Sequence, residues 1–229
     1  METEIQVKER PILFSTSMVK AILDERKTVT RRVMKPQLSC DHSGYSEADW
    51  KNKPIQWSEI GLKYGKAYCA CCGNGAHLSD DWSGLNCPYG KPVDILWVRE
   101  TWIKINIDEE FGGYRSEYAY RADDNEEYGS IKNGLGKRFI DSWKWRPSIF
   151  MPKAACRLKL QIVSVGVERL QDITEEDAIR EGIELKYPRH EYHISDPGRQ
   201  LFFDLWSMIN GVDSTNANPW VWRIEFKKL

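Results

Sequence analysis

The longest strand signal in the chain, Arg157 to Arg169, changes phase half-way: Leu158, Leu160 and Ile162 alternate in one register, Val163, Val165 and Val167 in the other. A strand whose apolar side chains switch faces has to bulge or bend sharply, and small barrels are built on such corners. The other strand signals are shorter. Pro11 to Phe14 reads as the first strand, Asp94 to Val98 as a buried one and Tyr118 to Arg121 as another. The C-terminal run alternates Trp220, Trp222, Ile224 and Phe226 against Val221, Arg223, Glu225 and Lys227. Three helical stretches interrupt them. Thr16 to about Asp24 follows a Ser15-Thr16-Ser17 cluster suited to capping, Thr174-Glu175-Glu176-Asp177 opens a short helix that closes at Gly182, and Arg199 to Asn210 places Leu201, Leu205, Trp206 and Ile209 on one face. Strands broken by a few short helices give a β-rich α+β fold.

A length of 229 residues predicts one domain, over 11–229, carrying an insertion at 39–86 where the pattern dissolves into Ser, Asp, Gly, Lys and Trp. Lys and Arg number 33 against 34 Asp and Glu, a net charge of -1, so there is no global field to draw in nucleic acid and any such contact has to be local. No apolar stretch approaches the roughly 20 residues that cross a membrane, and Met1 to Arg10 has no signal-peptide core. The expectation is a soluble, cytoplasmic protein with no membrane partner.

The chemistry is concentrated in Asp24-Glu25-Arg26-Lys27-Thr28-Val29-Thr30-Arg31-Arg32, which packs one amine, two hydroxyls and three guanidiniums into nine residues between a helix and a strand that ends before Pro36. That set suits a polar or anionic ligand at the mouth of a fold; the alternative is a solvated basic strand edge. Strand alternation from Lys27 to Met34 would put Lys27 and Thr30 on opposite faces. For the two to act together, Lys27 is expected in the turn before the strand.

This stretch resembles the signature of the ASCH family, a branch of the PUA-like β-barrels, whose motif reads Gly-x-Lys-x-x-Glu-x-Arg. Lys27 and Arg32 match; Glu25 stands where the motif has glycine and Thr30 where it has glutamate. The Lys-Thr-x-Thr-x-Arg form is similar to that of short bacterial ASCH proteins that deacetylate N4-acetylcytidine. Carried over by position, the resemblance implies a catalytic set of Lys27, Thr30 and Glu181, the last from the Thr-Glu-x-x-Ala-x-x-Glu run at 174–181. Trp97-Val98-Arg99-Glu100-Thr101-Trp102 and Asn218-Pro219-Trp220-Val221-Trp222 look like longer ASCH proteins encoded by bacteriophages and prophages. The implied fold is a PUA-like barrel with short peripheral helices, and the implied partner is a modified nucleoside or single-stranded nucleic acid in the host cytoplasm. In this resemblance the strand holding Arg99 and Glu100 runs beside the signature, which makes both candidates for the pocket.

Two further features bear on ligands. Cys69-x-x-Cys72 has the spacing of half a zinc knuckle, and Cys40 and Cys87 are the natural completing pair, with His42, His77 and Cys71 as substitutes. A structural zinc and free thiols are both open readings. Trp143-Lys144-Trp145-Arg146-Pro147-Ser148 interleaves aromatics with cations, which suits stacking Trp143 or Trp145 on a base beside a phosphate, or packing the rings with the cations snorkelling outward.

Hydrolysis of an amide such as that of N4-acetylcytidine needs a nucleophile, a base to unmask it and a proton for the departing amine. Thr30 would supply the oxygen, Lys27 the base if burial or Arg31 and Arg32 depress its pKa, Glu181 the orientation or proton shuttle, and Arg32 the grip on a carbonyl or phosphate oxygen. No cofactor is required. The alternatives are a non-catalytic module binding RNA or DNA, in which Lys27, Arg31 and Arg32 clasp phosphates, and, more remotely, a ribonuclease.

Overall fold

The structure, a computed structural model, describes residues 6–35, 37, 66–67, 85–109, 113–123, 144–185, 187, 191 and 195–229. In chain order the elements are β1 (Glu9–Leu13), α1 (Thr16–Leu23), β2 (Val29–Val33), β3 (Lys66–Ala67), β4 (Leu85–Asn86), β5 (Ile95–Arg99), β6 (Trp102–Glu109), β7 (Gly113–Tyr120), β8 (Lys159–Arg169), α2 (Glu175–Arg180), α3 (Pro197–Asn210) and β9 (Trp220–Lys228). Short 3-10 turns link several of them.

Five strands form the main sheet in the order β1-β5-β8-β9-β2. β1 runs parallel to β5, and the β5–β8, β8–β9 and β9–β2 pairings are antiparallel. β6 and β7 make a separate hairpin, which the sequence reading anticipated only at Tyr118–Tyr120, and β3 pairs with β4 within the insertion. The class is α+β as the strand pattern implies, but the sheet is not a closed barrel. β1 and β2 are its two edges, and where they approach, a side chain bridges them in place of a ladder: Arg32 Nη2 donates to the Leu13 carbonyl at 2.7 Å, with its guanidinium 5.2 Å above the Phe14 ring.

The phase change in β8 is a bulge. The β8–β9 register slips between Ile162 and Ser164, leaving Val163 half-exposed and returning Val165 and Val167 to the same core as Leu160 and Ile162. β9 is covered on both faces. Trp220, Trp222, Ile224 and Phe226 join Ile12, Phe14, Val19, Ile22 and Leu96 in the larger core, whereas Val221 packs with Leu170, Ile173, Phe202 and Trp206 in a second one beneath α3.

Each helix starts where its cap allows. The Ser15 hydroxyl accepts from Met18 N, and the Thr174 hydroxyl from Asp177 N at 3.1 Å. α3 begins two residues earlier than its apolar pattern suggests, with Pro197 at its first turn, and is capped from outside: Glu175 accepts from Gly198 N at 3.0 Å and Arg199 N at 2.7 Å. That contact docks α2 onto the positive end of α3. The face predicted for α3 is rotated, because Phe202 is buried with Trp206 while Ile209 is 59% exposed; Leu205 and Ile209 line a cleft and are not core.

Candidate active site

Lys27 lies in the turn before β2, not in the strand, and forms an isolated antiparallel bridge with Glu181, the C-cap of α2. The backbone around it is tied to the end of α2: Thr28 N donates to the Arg180 carbonyl at 2.9 Å and Arg26 Nη1 to the Gly182 carbonyl at 3.4 Å. The Lys27 side chain is fully covered, and its three donor hydrogens have three acceptors: Val29 O at 2.9 Å, Glu181 O at 2.7 Å and Glu181 Oε2 at 2.6 Å. Burial pushes the Lys27 amine below its ordinary pKa of 10.5, against the pull of the Glu181 carboxylate, and the nearby charges of Arg32 and Arg31 add to the depression.

The other Glu181 oxygen faces Arg31, whose Nη1 lies 3.3 Å from Oε1. Arg31 also donates through Nε to Glu168 and through Nη2 to Asp177 at 2.8 Å. Burial works against this guanidinium, but Glu181 and Glu168 hold its pKa above the ordinary value, so it is a fixed cation. Arg223, directly opposite Arg31 on β9, reaches Asp177 at 3.4 Å. Arg31 is thus surrounded by carboxylates, which supply the partners that a buried guanidinium needs.

Thr30 pairs with Ile224 and is 2% exposed; among the described residues its hydroxyl makes no hydrogen bond. It opens with Arg31, Arg32 and Glu181 onto a small cleft of about 80 Å³, partly open to solvent, whose opposite wall is apolar: Met18 from α1, and Phe202, Leu205 and Trp206 from α3. Lys27 does not line the cleft. It sits behind Glu181, where water is excluded.

The structure therefore brings Lys27, Thr30, Glu181, Arg31 and Arg32 to one place and leaves the remaining candidates elsewhere. The Arg99 guanidinium stacks 5.5 Å from the Trp97 ring and donates to the Ile149 carbonyl. Glu100 is buried in a two-point pairing with Arg157 (2.9 and 3.0 Å), and burial raises its pKa against that partner. Trp145 packs beneath Arg121 at 5.7 Å. None of the three lines the cleft. Trp143, Cys40, Cys69 and Cys72 lie outside the described residues, as do His42, Cys71 and His77. Cys87 is buried in the larger apolar core, which pushes its thiol up to about 11. Among the described residues no three metal-ligating side chains come together.

Sequence reasoning missed Glu168, Asp177 and Arg223, together with the whole α3 wall. One signal was available. Asp177 and Glu181 are four apart on one helix, where like charges repel unless a cation lies between them, and Arg31 is that cation.

No family model matches the chain, and no curated protein or solved structure matches it.

Proposed function

We propose that the cleft is an amidohydrolase site for a modified nucleoside of the N4-acetylcytidine type, in a fold of PUA-like, ASCH character. The observation that carries this reading is the buried Lys27–Glu181 contact of 2.6 Å placed directly behind a cleft that Thr30 enters with its hydroxyl unengaged by the described residues. Burial lowers the Lys27 pKa from its ordinary 10.5, the direction wanted of a lysine that exchanges protons with its carboxylate partner. The turn at Glu25 supports the resemblance: φ is 61°, the left-handed conformation for which the family motif uses glycine.

In this scheme the Thr30 oxygen attacks the acetyl carbonyl as its proton passes to the Glu181 carboxylate, which shares the cleft and is backed by the Lys27 amine. The C–N bond breaks, and the departing cytosine nitrogen takes a proton by way of Glu181, leaving an acetyl ester on Thr30. Water hydrolyses the ester to acetate and regenerates the hydroxyl. Arg32, at the rim, steadies the acyl oxygen, and Arg31 holds the Glu181 carboxylate in place. The apolar α3 wall receives the base. A structural zinc at Cys40, Cys69, Cys72 and Cys87 rests on the Cys-x-x-Cys spacing, and no step of the scheme uses it. Incubation with N4-acetylcytidine, with acetate and cytidine measured, tests the scheme; turnover by the wild type that is lost in Thr30→Val supports it.

A second reading, a module that binds single-stranded nucleic acid, has its own observation. Arg99 over Trp97 and Arg121 over Trp145 place two guanidiniums on partly exposed aromatic faces 5.5 and 5.7 Å away, outside the cleft. Such stacks offer both charge and π-surface to a strand. Binding of a labelled oligonucleotide that weakens steeply with salt would favour it.

A further inference from the structure

Gly182 is where the end of α2 meets the α1–β2 turn. Its φ is 92°, and a Cβ built on it would lie 2.9 Å from Ala21 Cβ, closer than real side chains approach, and 3.1 Å from Lys27 Cβ, tighter than most. The residue before it is Glu181, and the residues it would crowd are Ala21 and Lys27. Around the same point the chains are held by three further contacts: Lys27 Nζ to Glu181 O, Thr28 N to Arg180 O, and Arg26 Nη1 to Gly182 O. Every one of them requires the two backbones to approach without a side chain between them.

We infer that Gly182 is a positioning residue: by having no Cβ it lets α2 close onto the turn far enough for the Glu181 carboxylate to reach the Lys27 amine. This deepens the amidohydrolase reading and rests on it for its consequence in turnover, but the positioning itself is measurable without any substrate. The groups facing the Lys27 amine are Glu181 from α2 and, more distantly, Arg31 and Arg32 from β2, with the Phe14 ring 5.5 Å away. Glu181 is the one anion among them. Pushing it outward removes the influence that raises the Lys27 pKa and leaves the burial and the two cations that lower it.

The comparison that isolates this effect is with Gly211, which has φ 102° but nothing within 4 Å of a built Cβ. Gly182→Ala and Gly211→Ala both put a side chain at positive φ; only the first crowds Ala21 and Lys27. In protein labelled with 13Cε-lysine, the Lys27 titration midpoint followed by NMR is expected to fall by about one pH unit in Gly182→Ala and to stay at its wild-type value in Gly211→Ala. Adding Ala21→Gly to Gly182→Ala relieves the shortest contact, gives a variant that tolerates the new methyl, and moves the midpoint back toward wild type. With N4-acetylcytidine, Gly182→Ala is expected to lose ~100-fold in kcat/KM, the scale of a small misplacement of catalytic groups. A midpoint unmoved or raised in both Gly182→Ala and the double variant, or moved equally in Gly211→Ala, overturns the assignment. A wild type that shows the NMR shifts but no turnover refutes the amidohydrolase reading alone.

Discussion

Lys27 and Glu181 meet twice, through the amine and carboxylate at 2.6 Å and through the amine and the Glu181 carbonyl at 2.7 Å, so one residue supplies both a charge and a backbone acceptor to a lysine sealed from water. The pair is fixed from both sides, because Arg31 holds the other carboxylate oxygen. Removing Glu181 leaves the buried Lys27 amine without its anionic partner, whereas Glu181 without Lys27 would keep Arg31.

Glu181→Ala is therefore expected to cost about 3–5 kcal/mol of folding stability, the usual penalty for breaking a buried ion pair from one side. Lys27→Met combined with Glu181→Leu should cost less than the two single changes added together. Urea unfolding of the four proteins gives the coupling; strict additivity would show that the two side chains do not depend on each other.

The carboxylates around Arg31 set the acid limb of stability. Burial opposes the charge on Asp177, but Arg223 and Arg31 hold its pKa below the ordinary 3.8. A carboxylate depressed in the folded state contributes stability that is present above the unfolded pKa and is lost as pH falls through the folded one. The stability of the wild type should accordingly decline below about pH 4 more steeply than that of Asp177→Asn, which has no proton to take up there. Thermal unfolding between pH 2 and 6 makes the comparison, and parallel curves would remove Asp177 from the account.

Glu175 governs the apolar wall of the cleft. Its two oxygens accept the first free N–H groups of α3, at 3.0 and 2.7 Å, and Asp196 provides no cap of its own. Glu175→Ala should lower stability by about 2–3 kcal/mol, as charge-assisted bonds to buried donors do, and should weaken nucleoside binding by loosening α3. Glu175→Gln retains an acceptor and should lose less. Calorimetric binding together with unfolding midpoints distinguishes the two variants.

Glu25 holds a left-handed turn that glycine suits better. Glu25→Gly should leave the site unchanged and raise stability by up to about 1 kcal/mol, although it gives up the exposed contact with Lys228. A loss of stability would show that this surface contact outweighs the backbone strain.

The elements that packing dictates could be read from the sequence. The bulge in β8 follows from a phase change in Leu, Ile and Val; the inward face of β9 follows from its alternation; and the position of Lys27 in a turn follows from asking how it could meet Thr30. The lack of barrel closure could not be read, because whether β1 and β2 pair depends on how far α1 holds them apart, and a side chain, Arg32, spans the gap. Nor could the role of Arg31. In sequence it is one of three neighbouring arginines, and only the fold shows it held by Glu168, Asp177 and Glu181 while Arg32 donates to the Leu13 carbonyl. The resemblance puts Arg99 and Glu100 beside the signature, but in the fold they have partners of their own in Ile149 and Arg157. The rotated face of α3 was hidden because Leu205 and Ile209 are apolar for the sake of the cleft, and periodicity does not distinguish a cleft from a core.

Thr30→Val tests the central claim most directly. The substitution keeps the shape of a side chain that is 2% exposed and removes only a hydroxyl with no partner among the described residues, so fold and stability should be preserved. Acetate release from N4-acetylcytidine is to be measured for both proteins across pH. The account predicts turnover by the wild type that rises with pH to a midpoint below the ordinary lysine value of 10.5, and none by Thr30→Val with an unchanged melting temperature. Equal turnover by the two proteins, or none by the wild type, would contradict it.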